Sequence, residues 1–129
     1  MSKNIKTIPV QDYLDVVAVV ENYVEGLRIG DAKQVAKSFH PDATMYGFAL
    51  DGSPLFGPIS NLWTFMEQNG SAPKIRARND IISITPTTAV VKVDMECDAA
   101  GNDYTDNHTL LKQDGKWLII AKVFHTYAK

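Results

Sequence analysis

Residues 104–127 read YTDNHTLLKQDGKWLIIAKVFHTY, two runs of strand-forming residues joined by Asp114-Gly115. Asp-Gly between two such runs signals a two-residue hairpin, because both residues tolerate the positive φ that this turn demands. An uninterrupted register from that turn then fixes the faces. One face collects Tyr104 with His125, Asp106 with Val123, His108 with Ala121, Leu110 with Ile119 and Lys112 with Trp117. The other collects Thr105 with Phe124, Asn107 with Lys122, Thr109 with Ile120 and Leu111 with Leu118. Both faces are rich in apolar side chains, so each needs a cover.

Working upstream, Lys74–Thr85 and Thr88–Asp98 form a second predicted hairpin about the turn at Thr85-Pro86-Thr87-Thr88. Val91, Val93, Met95 and Cys97 alternate with Lys92, Asp94 and Glu96, a strand with one buried and one wet face. Before residue 74 the apolar period changes from two to about 3.6. Ile59, Leu62, Trp63 and Met66 share a helical face that starts at Pro58, and Asn69 to Pro73 end it. Residues 50–58, LDGSPLFGP, are expected as a loop, and Ala43–Phe48 as a strand. The first helix runs from about Asp12 to Leu27, with one apolar row through Leu14 and Val17 and another through Tyr13, Val16, Val20 and Tyr23. Gly30 stops it, and Asp31 with Gln34 reads as a capping box for a short second helix that ends near His40, ahead of Pro41. Residues 1–9 are expected as an N-terminal arm and 10–129 as one domain.

Composition sets the broad class. The chain has 129 residues, 45% of them apolar and 22% charged, with a formal net charge of -2, which suits one compact soluble domain with one core. No apolar run reaches the roughly 18–20 residues of a membrane span, and the start lacks the order of a secretory signal, so a cytoplasmic protein with no membrane partner is expected. Cys97 is the single cysteine, so neither an intrachain disulfide nor a cysteine zinc cage can form. Charges are scattered without a basic stripe, which argues against nucleic acid as a partner.

The chemistry gathers on the face of the last hairpin that holds Tyr104, Asp106, His108 and His125. Directly opposed Cβ atoms in a sheet stand roughly 4.5–5.5 Å apart, so Asp106 has His108 and His125 within reach. A carboxylate and an imidazole in an apolar hollow can abstract and return a proton, since burial and pairing move their pKa values. A satisfied polar network on a strand face fits the same residues. His40 beside Pro41 and Asp42 suits a structural place at a helix end as well as a ligand contact, and Lys122 beside Asn107 reads as a paired structural lysine. No HExxH or similar spacing occurs, so no metal is expected, and no glycine-rich phosphate loop is present.

The order of elements, with His40-Pro41-Asp42-Ala43 after the second helix, Asp106, Leu110, Leu111 and Lys112 in the penultimate strand, and Gly115, Trp117, Ile119, Lys122 and His125 in the last, resembles the nuclear transport factor 2-like superfamily. The likeness covers about Val10 to Tyr127 and is nearest to the branch named "putative lumazine-binding", close to the SnoaL-like polyketide cyclases. It implies an α+β cone of three N-terminal helices against a strongly curved antiparallel sheet, usually in a homodimer. Since three helices can cover only one of the two apolar sheet faces, a homodimer through the outer sheet face is expected here as well. Ketosteroid isomerase, an enzyme that works by tuning the pKa values of its carboxyl groups, shares this plan. The resemblance implies Asp106 as base, His108 as orienter or acid, and Tyr46 or Tyr104 as oxyanion donor. Tyr13, Val17, Trp63, Met66, Met95, His125 and His40 would line a pocket for a small apolar or aromatic molecule. The implied chemistry is cofactor-free proton transfer of isomerase, dehydratase or cyclase type; the alternative is a non-catalytic binding or dimerisation module, since one fold carries both.

Overall fold

The structure, a computed structural model, describes residue 5 and residues 7–128; most of the expected arm lies outside the described residues. Helix α1 spans Val10–Ile29, α2 Ala32–Ala36 and α3 Ser60–Asn69. Six strands, β1 Phe39–Phe48, β2 Pro54–Pro58, β3 Arg76–Ile84, β4 Thr88–Glu96, β5 Asp103–Gln113 and β6 Lys116–Tyr127, form one sheet in the order β2-β1-β6-β5-β4-β3. All neighbours are antiparallel except β1 and β6, which run parallel. The helices lie against one face of the sheet, and the core between them joins Val16, Val20 and Tyr23 of α1 to Val91, Val93, Leu110 and Ile119 of the sheet.

Helix α1 buries the row Val16, Val20, Tyr23, Val24 and Leu27, whereas Leu14 and Tyr13 of the neighbouring positions are exposed. Its ends are tied to the sheet by polar contacts. In the first turn Asp12 Oδ1 accepts from Lys112 Nζ at 3.0 Å and Trp117 Nε1 at 3.4 Å. In the last turn Arg28 Nη1 donates to the Ile75 carbonyl at 2.8 Å. Both charges complement the helix dipole at their own end, where backbone groups have no partner within the helix. Gly30, with φ 76°, caps α1 in the left-handed region, as the sequence implied. Only half of the expected capping box forms: Asp31 accepts from the Lys33 and Gln34 amides at 3.1 Å, while the Asp31 amide donates to the Gly26 carbonyl instead.

Three local expectations are corrected. The short second helix stops at Ala36, and Phe39 and His40 already belong to β1. Within β1 the stretch His40 to Ala43 departs from regular pairing: Phe39 and Thr44 face Ile119 and Ala121, so the strand carries extra residues there. That irregularity is what admits Pro41, which has no amide for a ladder. Residues 54–58 form the edge strand β2, not a loop, and Pro58 ends it, with α3 starting two residues later. An edge strand needs fewer ladder bonds, so its two prolines and Gly57 are tolerated. Cys97 is exposed, at φ 60°, instead of closing the buried row of β4.

The largest correction concerns register. From Gln113↔Lys116 to Leu110↔Ile119 the last hairpin pairs as expected, but Thr109 then faces Ala121, and the shift persists to Asp103↔Tyr127. Ile120 is the extra residue of a β-bulge. Because side chains alternate, a one-residue slip exchanges the two faces of everything beyond it. Lys122 and Phe124 therefore point inward beside His108 and Asp106, while Val123 and His125 are exposed on the outside.

Gly47 lies beside this inward row. Its hypothetical Cβ would stand 2.5 Å from the Phe124 carbonyl oxygen and 2.7 Å from the Phe124 ring. Gly47→Ala is expected to destabilise the fold by about 1–3 kcal/mol, the usual cost of overpacking, read as a lower urea midpoint with an unchanged slope.

Candidate functional site

The site begins with a parity rule. Residues 106 and 108 are two apart on β5, so they share a face whatever the register of the hairpin. Both are fully buried, in ladder rows with Val93 and Val91 of β4. On the β6 side the bulge sets Phe124 opposite Asp106 and Lys122 opposite His108. Tyr23 arrives from α1, which crosses the same face.

Two hydrogen bonds and one cation converge on one oxygen. Asp106 Oδ2 accepts from Tyr23 Oη at 3.1 Å and from His108 Nε2 at 3.2 Å, and Lys122 Nζ lies 3.8 Å away as an ion pair. Asp106 Oδ1 and His108 Nδ1 are buried without a partner. An ionised carboxylate has no proton to give, so Nε2 carries the imidazole hydrogen and Nδ1 is the bare nitrogen. Lys122 Nζ also sits 4.1 Å from the centre of the Phe124 ring.

Electrostatics orders these groups. Burial pushes the Asp106 carboxyl upward, but the Lys122 charge and the hydrogen bonds from His108 and Tyr23 outweigh it and hold the carboxyl below its ordinary value. Burial lowers His108 against the opposing pull of Asp106, which keeps the ring neutral at neutral pH. Burial likewise lowers Lys122, opposed by the Asp106 and Asp98 charges. The Tyr23 hydroxyl is raised well above its ordinary value by burial and by the neighbouring carboxylate. A neutral imidazole, a carboxylate and an ammonium thus share a nearly dry niche whose net charge is close to zero.

The niche backs onto a cavity of about 420 Å³ between α1, α3 and the sheet. Tyr23, Lys122 and Tyr104 stand on its wall, with Met45, Met66, Met95 and Phe124 among the apolar side chains around them. Asp106 and His108 do not line it; they lie one layer behind. Burial raises the Tyr104 hydroxyl, which leaves it a neutral hydrogen-bonding group. Among the described residues no three His, Cys, Asp or Glu side chains gather as a metal set.

The sequence-predicted residues divide accordingly. Asp106, His108, Tyr104, Met66 and Met95 are brought to the cavity or directly behind it. Tyr46 is not: it alternates with the inward Met45, is 44% exposed and stacks on Phe56, and it does not line the cavity, although Phe56 borders it. His125 is turned outward by the bulge and packs edge-on against Tyr127. Tyr13 is exposed on α1, and Val17 is half-buried away from the cavity wall. Trp63 packs edge-on against Phe39 in the core instead of lining the cavity, and the His40 ring is occupied by the Asp42 amide at 3.0 Å. Sequence reasoning missed Tyr23 and Lys122. Tyr23 was visible only as one apolar helix position among several, and Lys122 was assigned to the wrong face by the uninterrupted register.

Comparison with known proteins agrees with this architecture. A family model described as "Putative lumazine-binding" matches residues 7–125. A protein of Cladobotryum sp named aldolase FrzH is 42% identical over 124 residues, covering 96% of this chain and 98% of that one. Two crystal structures of nuclear transport factor 2-like proteins of unknown function superpose with TM-scores of 0.87. The one from Shewanella baltica is 30% identical and covers 96% of this chain and 100% of its own; that from Methylobacillus flagellatus is 33% identical and covers 94% and 96%.

Removing the carboxylate should strand a buried ammonium. Asp106→Asn is expected to cost about 3–5 kcal/mol of stability at neutral pH, measured by urea unfolding. The pH dependence has two signs. In the unmodified protein Asp106 binds its proton less readily in the fold than in the unfolded chain, so its contribution is present above about pH 4 and is lost as pH falls through the lowered value. In the variant, Lys122 without its counter-charge binds its proton less readily still, so stability should rise as the pH climbs toward the ordinary lysine value of about 10.4.

Proposed function

We propose that this chain, which belongs to the "Putative lumazine-binding" family of the nuclear transport factor 2-like superfamily, binds a small apolar or aromatic carbonyl compound in its cavity and moves a proton at the carbon beside the carbonyl, without a cofactor. The observation that carries this reading is a buried carboxylate linked to an apolar cavity of about 420 Å³ through Tyr23 and Lys122. Such a cavity holds one small ligand with a few polar groups to orient it. In this reading the substrate oxygen lies against Lys122 and Tyr104, where the charge of an enolate is met by fixed donors in a poorly hydrated setting. Asp106 is the proton acceptor, held by His108 and reached through the Tyr23 hydroxyl that already bonds to it. The aldolase name of the Cladobotryum protein supports carbonyl chemistry of this kind, since an aldol addition starts with that same proton loss.

The test is exchange of the α-hydrogens of cyclohexanone in deuterated buffer, followed by NMR. The protein should accelerate exchange, and Asp106→Asn, checked for folding by circular dichroism, should lose about 10²–10⁴-fold of the acceleration. No acceleration by the unmodified protein, or full acceleration by a folded variant, would overturn the reading.

Pairing of two copies through the outer sheet face belongs to the same proposal. Tyr46, Phe48, Phe56 and Val123 are all more than two-fifths exposed and adjoin one another across β2, β1 and β6, with Phe56 also bordering the cavity mouth. Tyr46 and Phe56 rings stack at 5.0 Å, and Phe48 meets Phe56 at 5.5 Å. A cluster of this kind in water favours a second surface. Light scattering at micromolar concentration should give twice the 14.3 kDa chain mass, and Val123→Glu should return it to one chain. A single-chain mass for the unmodified protein would reject pairing.

A further inference from the structure

Lys122 is an unusual lysine for a structural role. Its Nζ stands 3.8 Å from Asp106 Oδ2, beyond hydrogen-bond reach, and its side chain is 6% exposed. An ion pair kept for stability closes to a short, well-aligned hydrogen bond, because only that geometry offsets the desolvation of both charges. Here the pair is loose and the amine faces the cavity wall beside Tyr23 and Tyr104. Its other near neighbour is the Phe124 ring at 4.1 Å. The groups facing it are Asp106 and His108 from β5, Tyr23 from α1, and Tyr104 and Asp98 around the β4–β5 turn.

We infer that Lys122 is a nucleophile, forming an imine with an aldehyde or ketone bound in the cavity. This rests on the carbonyl-substrate reading above and adds a covalent step to it. The ammonium first passes one proton to Asp106, the nearest acceptor. The freed Nζ lone pair then forms a C–N bond to the carbonyl carbon as the C=O π bond opens, and one proton of the attacking nitrogen passes to the oxygen to give a neutral carbinolamine. That hydroxyl leaves as water with the proton held by Asp106, and the nitrogen, with its one remaining hydrogen, is left as a protonated iminium. Overall, one ammonium and one carbonyl give one iminium and one water. The iminium carries the single positive charge that the ammonium carried, so Asp106 ends the sequence with a counter-ion as it began. A cationic iminium acidifies the adjacent carbon, and the same carboxylate, through Tyr23, can receive that proton; water hydrolyses the iminium by the reverse steps. The lowering of Lys122 by burial favours the free amine that attack requires.

The experiment treats the full chain with cyclohexanone and sodium cyanoborohydride at neutral pH and maps cyclohexyl-lysine by peptide mass spectrometry. Lys122 should be modified about tenfold or more ahead of the exposed Lys33 and Lys116, as expected of an amine on the wall of a cavity that holds the ketone. The preference should vanish in urea. An unmodified Lys122, or one modified no faster than Lys33 and Lys116, overturns the inference. Lys122→Arg separates it from the general proton-transfer reading, because arginine keeps the charge beside Asp106 and cannot form the imine. Exchange by the unmodified protein that Asp106→Asn abolishes, with no adduct on Lys122, rejects the imine while the proton-transfer reading stands. An adduct on Lys122 with no exchange by the unmodified protein supports the imine and rejects the proton-transfer reading.

Discussion

One extra residue in β6 governs which side chains meet inside this protein. With Ile120 looped into a bulge, Lys122 faces the same interior as Asp106, His108 and Tyr23. Without it, Lys122 would sit on the opposite face and His125 would take its place near Asp106. A bulge keeps the ladder on both sides while changing the parity of everything beyond it, so it re-aims a functional side chain without altering the fold.

The bulge brings together charges that would be costly apart. A lone carboxylate at zero exposure would take up a proton, and a lone ammonium beside apolar strands would give one up. Facing each other, with a neutral imidazole and a phenol bonded to the same carboxylate oxygen, they retain their charges and still lack a full set of partners. The two orphaned acceptors and the loose ion pair mark this cluster as less satisfied than the rest of the interior. In a native core such incompleteness calls for a reason, and this cluster adjoins the cavity through Tyr23 and Lys122.

The rest of the fold holds this cluster in place. Asp12 and Arg28 fasten the two ends of α1 to the sheet, which fixes where Tyr23 meets Asp106. Gly47 lets the Phe124 backbone and ring approach β1, and Phe124 in turn lies against Lys122. The outer face is a different environment, aromatic and open.

How much was legible in the chain follows from the range of each signal. Asp114-Gly115 and the strict alternation of Val91, Val93 and Met95 specify local backbone geometry, so the last hairpin, β4 and the α+β arrangement could be read directly. The shared face of Asp106 and His108 was equally secure, because parity within one strand needs no partner. Tyr46 and His125 were misplaced because their positions depend on facing and register across strands. In the run Leu118-Ile119-Ile120-Ala121 every residue is apolar, so no alternation betrays the bulge. Tyr23 joins the site only through the docking of a helix 83 residues away in sequence from Asp106. The sequence by itself determined the elements and the Asp106–His108 pair, since those rest on turn chemistry and short-range periodicity. Only the tertiary structure decided that Lys122 and Tyr23 complete the cluster, because a one-residue slip and a helix's seat on the sheet are settled by packing across the whole interior.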